Sequence, residues 1–184
     1  MDGVGGRRKR IVGSDVGSGS TADEELEFAA LIERQLDRSY RIARLILRDE
    51  ADAEDATHDA VMAAWQHWRR LKDPDRFDAW FGRILVNRCR DRLRRRARAQ
   101  LVPAPPSEAG PSPEGEVERR AELALAFEAL NEDQRVAVVL RYWADLTVEE
   151  IAERVAAPAG TVKSRLHHAM DRMRSALQPG EETR

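Results

Sequence analysis

The chain has 184 residues, of which 35% are charged and 5% aromatic, and a net charge of −2. That length holds one domain or two small ones, and so few aromatics suit small helical units rather than one large core. The charge balance excludes a chain that is basic throughout, and the single cysteine, Cys89, excludes an internal disulfide or a cysteine-rich zinc site.

Residues 1–22 are rich in Gly and Ser and lack periodicity, which predicts a disordered tail. Their cluster Arg7-Arg8-Lys9-Arg10 is followed by no apolar signal core, and no apolar run approaches the roughly 20 residues that cross a bilayer. A soluble, cytoplasmic protein is expected. Residues 23–98 predict three helices. Phe28, Leu31/Ile32, Leu36, Ile42/Ala43 and Ile46 give the first its helical spacing. Asp52 is the expected cap of the second, which buries Ala56, Ala60/Val61, Ala64/Trp65, Trp68 and Leu71. Asp73-Pro74 marks the third start, with Phe77, Trp80/Phe81, Ile84/Leu85, Cys89 and Leu93 turned inward.

Five prolines between Leu101 and Pro113 exclude regular structure, so residues 99–113 are expected to be a linker. Residues 114–178 predict a second helical unit, and residues 179–184 a tail. The unit begins with a helix carrying Val117, Leu123, Phe127 and Leu130. Asn131 then caps a helix through Val138, Val139, Tyr142 and Trp143, with Gln134 three residues on. Thr147-Val-Glu-Glu150 is a capping box for a short helix with Val148, Ile151 and Val155 on one face. Residues 156–160 break it. A longer helix follows with Val162, Leu166, Ala169/Met170, Met173 and Leu177 as its apolar stripe, and its other face shows Lys163, Ser164, Arg165, His167, His168 and Arg172. This is the pattern of a helix-turn-helix that enters the DNA major groove. The competing reading is a plain helical hairpin with a solvated face. The fold class is all-α: two small helical domains joined by a Pro/Glu-rich linker.

Charge is distributed in blocks. Residues 49–59 hold Asp49, Glu50, Asp52, Glu54, Asp55 and Asp59 without a base, whereas residues 83–98 hold eight arginines against Asp91. Eight far exceed what a helix C-terminus needs, which favours contact with the DNA backbone. His58, His67, His167 and His168 lack metal-ligand spacing, and no nucleophile–base arrangement or phosphate-cradling loop is present. No cofactor, metal or enzymatic activity is expected.

Taken together, three segments resemble a known family. The run from Asp52 to Trp65 resembles the acidic second helix of bacterial sigma factors. Phe77 to Arg95 resembles the sigma segment that melts and reads the promoter minus-ten element. Leu146 to Val155 with Gly160-Thr-Val-Lys-Ser-Arg-Leu166 resembles the sigma helix-turn-helix that reads the minus-thirty-five element. The compact two-domain form is similar to the extracytoplasmic-function (ECF) sigma factors of the sigma-70 superfamily, over residues 28–177. The sequence departs from that family at Ala156, where Gly is usual in the turn, at His58, where Gln is frequent, and at His168, where Arg is frequent.

The resemblance implies a factor that binds core RNA polymerase and directs promoter-specific initiation. Polymerase docking would fall to Asp52, Glu54, Asp55, His58 and Asp59. Minus-ten DNA would meet Trp80, Asn87, Arg88, Arg90, Arg92, Arg94 and Arg95. Upstream DNA would meet Lys163, Ser164, His167 and His168 at base edges and Arg165 and Arg172 nearer phosphates. Partners would be core RNA polymerase and promoter DNA, with room for an anti-sigma protein and no membrane. The alternative is a stand-alone helix-turn-helix regulator, which needs no acidic second helix. A third class, an anti-sigma or scaffold protein built on a sigma fold, has no use for the basic recognition face.

Overall fold

The computed structural model describes residues 18–99 and 114–178. Seven α-helices follow in order: α1 (Ser18–Leu47), α2 (Glu50–His67), α3 (Phe77–Ala99), α4 (Glu114–Glu128), α5 (Glu132–Tyr142), α6 (Val148–Val155) and α7 (Ala159–Leu177). No strand occurs among the described residues. Short 3₁₀ turns at Trp68–Arg70 and Pro74–Arg76 lead from α2 into α3.

Local chemistry sets most boundaries. α1 ends where Arg48 turns left-handed (φ 58°), and Asp49 then caps α2, its carboxylate accepting the Asp52 N–H at 2.8 Å. The cap is therefore Asp49 and not Asp52, which sits in the first turn and faces α3. The backbone N–H of Asp52, followed by the Arg96 guanidinium, holds the Asp49 carboxyl below its ordinary value. Such a group stabilises the fold fully above the unfolded carboxyl range and ceases to as pH falls through its lower folded value. Asp49→Ala is expected to cost about 1 kcal/mol at neutral pH. In urea titrations at stepped pH, the gap to wild type should close below about pH 4.

In the first three helices, Ala53, Ala56, Ala60 and Ala64 form a side-chain-poor face of α2, all fully buried, against which α1 and α3 approach closely. Phe28, Trp65, Trp68, Phe77, Trp80 and Phe81 make an aromatic cluster at one end, with ring centroids 5.1–6.1 Å apart. Cys89 is fully enclosed, and burial pushes its thiol up to about 12, so it is an unreactive core residue. In the last four helices the core is Phe127, Leu130, Val136 to Leu140, Ile151, Val155, Val162, Ala169 and Met173. Both capping boxes form as expected. Asn131 and Gln134 bond reciprocally at 2.9 and 3.1 Å, and Thr147 and Glu150 do so at 3.2 and 2.7 Å.

Three features differ from the sequence reading. Residues 18–22, expected in a disordered tail, form the first turn of α1; the rest of that tail lies outside the described residues, as do 100–113 and 179–184. α4 begins at Glu114, so Glu114, Glu116 and Glu118 stand on a helix rather than on an extended linker. The two helical groups also pack directly together. α3 lies on α6 and α1 on α5, and their buried apolar residues form one continuous cluster.

Candidate nucleic-acid interface

The turn between α6 and α7 is a tight helix-turn-helix connection. Ala156 is left-handed (φ 51°, ψ 49°) and its N–H closes α6 on Ala152 and Glu153. This is the strained position foreseen where Gly is usual. Ala156→Gly relieves that strain at some cost in chain entropy. It is expected to raise stability by about 0.5 kcal/mol, read as a higher denaturation midpoint at unchanged slope.

On α7, Lys163, Ser164, His167, His168 and Arg172 are all exposed along one face. His167 Nε2 lies 3.4 Å from Asp171, one turn on, which also pairs with Arg174 at 2.8 Å. Arg172 leans toward the Ala129 carbonyl at 3.4 Å. Arg165 differs from the rest of the set. It is half-buried, turned back toward α5, and pairs with Asp133 at 2.6 Å.

The arginine block on α3 divides in the same way. Arg94 and Arg95 are exposed beside Asn87; Arg94 pairs with Asp91, three residues back, at 2.6 Å. Trp80 is partly buried against Phe77, and Phe81 supplies the inward ring. Arg88 is half-buried, with its Nε unpartnered among the described residues. Arg90 faces the second helical group, donating to the Val155 carbonyl at 3.2 Å and to Asp133 at 2.9 Å. Arg92 lies along α2, where its guanidinium meets Asp52 at 3.2 Å, Asp55 at 3.1 Å and Asp59 at 3.0 Å. Burial opposes its charge, but the hydrogen bonds and charges of these carboxylates prevail and raise its pKa. Arg96 holds Asp49 and Asp52 similarly, at 2.8 and 2.5 Å.

The acidic patch on α2 thus has two sides. Asp52 is turned inward onto arginines. Glu54, Asp55, His58 and Asp59 remain exposed. Beside them runs an apolar strip, Leu36, Met62 and Trp65, each more than 40% exposed, of which the periodicity placed Leu36 and Trp65 in the core. A shallow groove lined by Ile32, Leu36, Tyr40 and Val61 opens between Glu54 and His58. Acids flanking exposed apolar side chains are the composition of a protein-docking surface. The sequence signal was there in Leu36 and Trp65, but a wide helical stripe looks the same whether its edge is covered by the chain or by a partner.

Among the described residues, no group of His, Cys, Asp or Glu could hold a metal ion, and no helix is long and apolar enough to cross a membrane. Residues missed at the sequence level are Asp78, Gly82, Asp133 and Arg154, all at the seam between the two helical groups. Arg154 is buried at 6% exposure although it belongs to a short exposed-looking helix.

Residues 31–99 match the family model of sigma-70 region 2, and residues 120–173 that of sigma-70 region 4. Over 158 residues the chain is 33% identical to the RNA polymerase sigma-E factor of Streptomyces coelicolor, covering 84% of this chain and 88% of that protein. Over 179 residues it is 31% identical to the ECF RNA polymerase sigma factor SigM of Mycobacterium tuberculosis, covering 95% and 89%. Its fold is similar to that of CnrH solved with the cytosolic domain of CnrY (TM-score 0.63, 25% identity, 89% of this chain and 96% of that one). It is similar also to the sigma factor RpoE of Bartonella quintana in complex with the anti-sigma factor NepR (TM-score 0.58, 23% identity, 89% and 99%). With both regions present in order and relatives matched along most of their length, this chain belongs to the ECF sigma factors of the sigma-70 family.

Proposed function

We propose that this sigma factor divides its work among three surfaces: the acidic and apolar face of α2 for core RNA polymerase, the outward side of α3 for minus-ten DNA, and the outward face of α7 for the upstream element. As a sigma factor the chain binds core polymerase and directs promoter-specific initiation; bond-making belongs to the polymerase. The observation that carries the division is the pairing of Glu54, Asp55, His58 and Asp59 with an uncovered apolar strip. A stand-alone regulator has no use for such a surface. A factor that works with polymerase and promoter acts in the cytoplasm, and an anti-sigma protein is a further partner class, as in the structurally similar RpoE solved in complex with the anti-sigma factor NepR.

Within this reading Lys163, Ser164, His167 and His168 meet base edges, and Arg172 a phosphate. On α3, Asn87, Arg94 and Arg95 are placed to meet DNA directly, with Trp80 and Arg88 behind them. Arg90, Arg92 and Arg165 are committed to protein carboxylates, and must be released before they reach a phosphate. The test is transcription with purified core polymerase on a promoter selected by the factor. Lys163→Ala is expected to lose about 1–3 kcal/mol of discrimination at one upstream base pair, read as a smaller gap between matched and mismatched promoters. Equal loss on both would make Lys163 a backbone contact. Failure of the wild-type chain to join core polymerase would return the stand-alone regulator.

A further inference from the structure

The recognition helix carries one acid. Asp171 is the single acidic residue between Ala159 and Leu177. It stands one helical turn beyond His167, beside residues that are otherwise basic or hydrogen-bonding. A carboxylate so placed repels phosphate, so on affinity alone it is out of place. Both of its oxygens are engaged within the helix. Oδ1 accepts from Arg174 Nη1 at 2.8 Å, and Oδ2 lies 3.4 Å from His167 Nε2. The His167 ring is also flanked by His168, with centroids 5.6 Å apart and planes inclined by 51°. The rest of the His167 side chain is open to an incoming groove, being 73% exposed.

We propose that Asp171 is a positioning residue for promoter reading: it fixes His167 as a hydrogen-bond acceptor, and so selects adenine or cytosine at one position of the upstream element. This rests on α7 being the DNA-reading helix. A carboxylate only accepts, so the imidazole nitrogen turned toward it, Nε2, holds the proton. In the neutral ring the bare nitrogen is then Nδ1, which only accepts. A ring with no neighbour to choose its tautomer would offer donor and acceptor alike, and would discriminate little. In the major groove adenine N6 and cytosine N4 donate, whereas thymine O4 and guanine O6 accept and would oppose a bare nitrogen. Arg174 holds the second oxygen and keeps the carboxylate from turning away. The His167–Asp171 contact is long and exposed in the free chain; on the duplex it loses water, which strengthens it.

The test uses the full chain assembled with core polymerase at about pH 8.5, well above the ordinary imidazole range. The holoenzyme is bound to a pool of promoter duplexes randomised through the upstream element, and the bound fraction is sequenced. The wild type is expected to favour adenine or cytosine about tenfold at one position. His167→Ala and Asp171→Asn should each lose that preference and keep those at other positions; the amide donates or accepts, so it no longer fixes the tautomer. The double variant should lose no more than either alone, because the carboxylate acts through the imidazole. Asp171→Glu restores the carboxylate and should keep part of the preference, which a purely structural role for Asp171 would not explain. Retention of the preference in Asp171→Asn would overturn the proposal. So would a loss spread evenly over all positions, a further loss in the double variant, or a His167-dependent preference for guanine or thymine. A wild type that joins polymerase but is indifferent to every upstream position would instead refute α7 as the reader, and this proposal with it. A preference that is present but survives His167→Ala refutes this proposal alone.

Discussion

Phe81→Ala is expected to lower the unfolding free energy by about 3–5 kcal/mol, a large share of the roughly 5–15 kcal/mol that holds a domain together. Phe81 is 1% exposed and stacks on Phe77 with ring centroids 5.7 Å apart and planes 8° from parallel. It also walls the enclosure that receives Arg154, beside Ile42 and Leu140. Truncation removes apolar area and leaves a void in a fully enclosed part of the core, where collapse is limited. Urea unfolding should show a lower midpoint at unchanged slope. A loss below about 1 kcal/mol would mean that neighbouring rings refill the space. The neighbouring Trp80→Ala should cost far less stability, because that ring is only partly enclosed; its main effect is expected on promoter opening.

Features set by short-range chemistry were legible in the sequence. The Asn131–Gln134 and Thr147–Glu150 boxes and the left-handed Ala156 depend on residues within one turn of one another, and each formed; Asp73-Pro74 instead opens the 3₁₀ turn that leads into α3 at Phe77. The seven-helix count and the exposed face of α7 follow from periodicity alone. Less legible was whatever depends on a partner far along the chain. Asp52 has the right identity for a cap, but Asp49 lies one helical turn earlier at the point where Arg48 reverses the chain. Arg90, Arg92 and Arg96 carry the same charge as Arg94 and Arg95; what separates them is which carboxylate lies opposite, some 40 residues away, as in Arg92 with Asp52. Arg154 meets Asp78 across 76 positions, and nothing local distinguishes it from a solvated arginine. Tyr142 and Trp143 kept helical spacing with the core, yet at the end of α5 they are 60% and 44% exposed.

Arg92→Ala is expected to cost about 2 kcal/mol of stability and to weaken core polymerase binding with it. The side chain is 17% exposed and joins three carboxylates of α2 at 3.0–3.2 Å. Removing it leaves Asp52, Asp55 and Asp59 on successive turns of one helix without their shared countercharge. Breaking a fully buried pair costs about 3–5 kcal/mol, but Asp55 and Asp59 are at least half exposed, so water recovers part of the loss. Arg92→Lys keeps the charge but not the planar fork, and one ammonium cannot serve three acids on two sides. It should fall between wild type and Arg92→Ala in both stability and polymerase affinity. The competing assignment makes Arg92 a phosphate contact. That role predicts the opposite pattern: little change in unfolding, and a salt slope for DNA binding reduced by about one unit. Measuring both quantities on the same variant separates them, because a guanidinium held between α2 and α3 cannot leave its carboxylates without the helices registering the loss. Stability falling at an unchanged salt slope would place Arg92 beneath the docking surface; a fall in slope at wild-type stability would move it to the DNA side of α3.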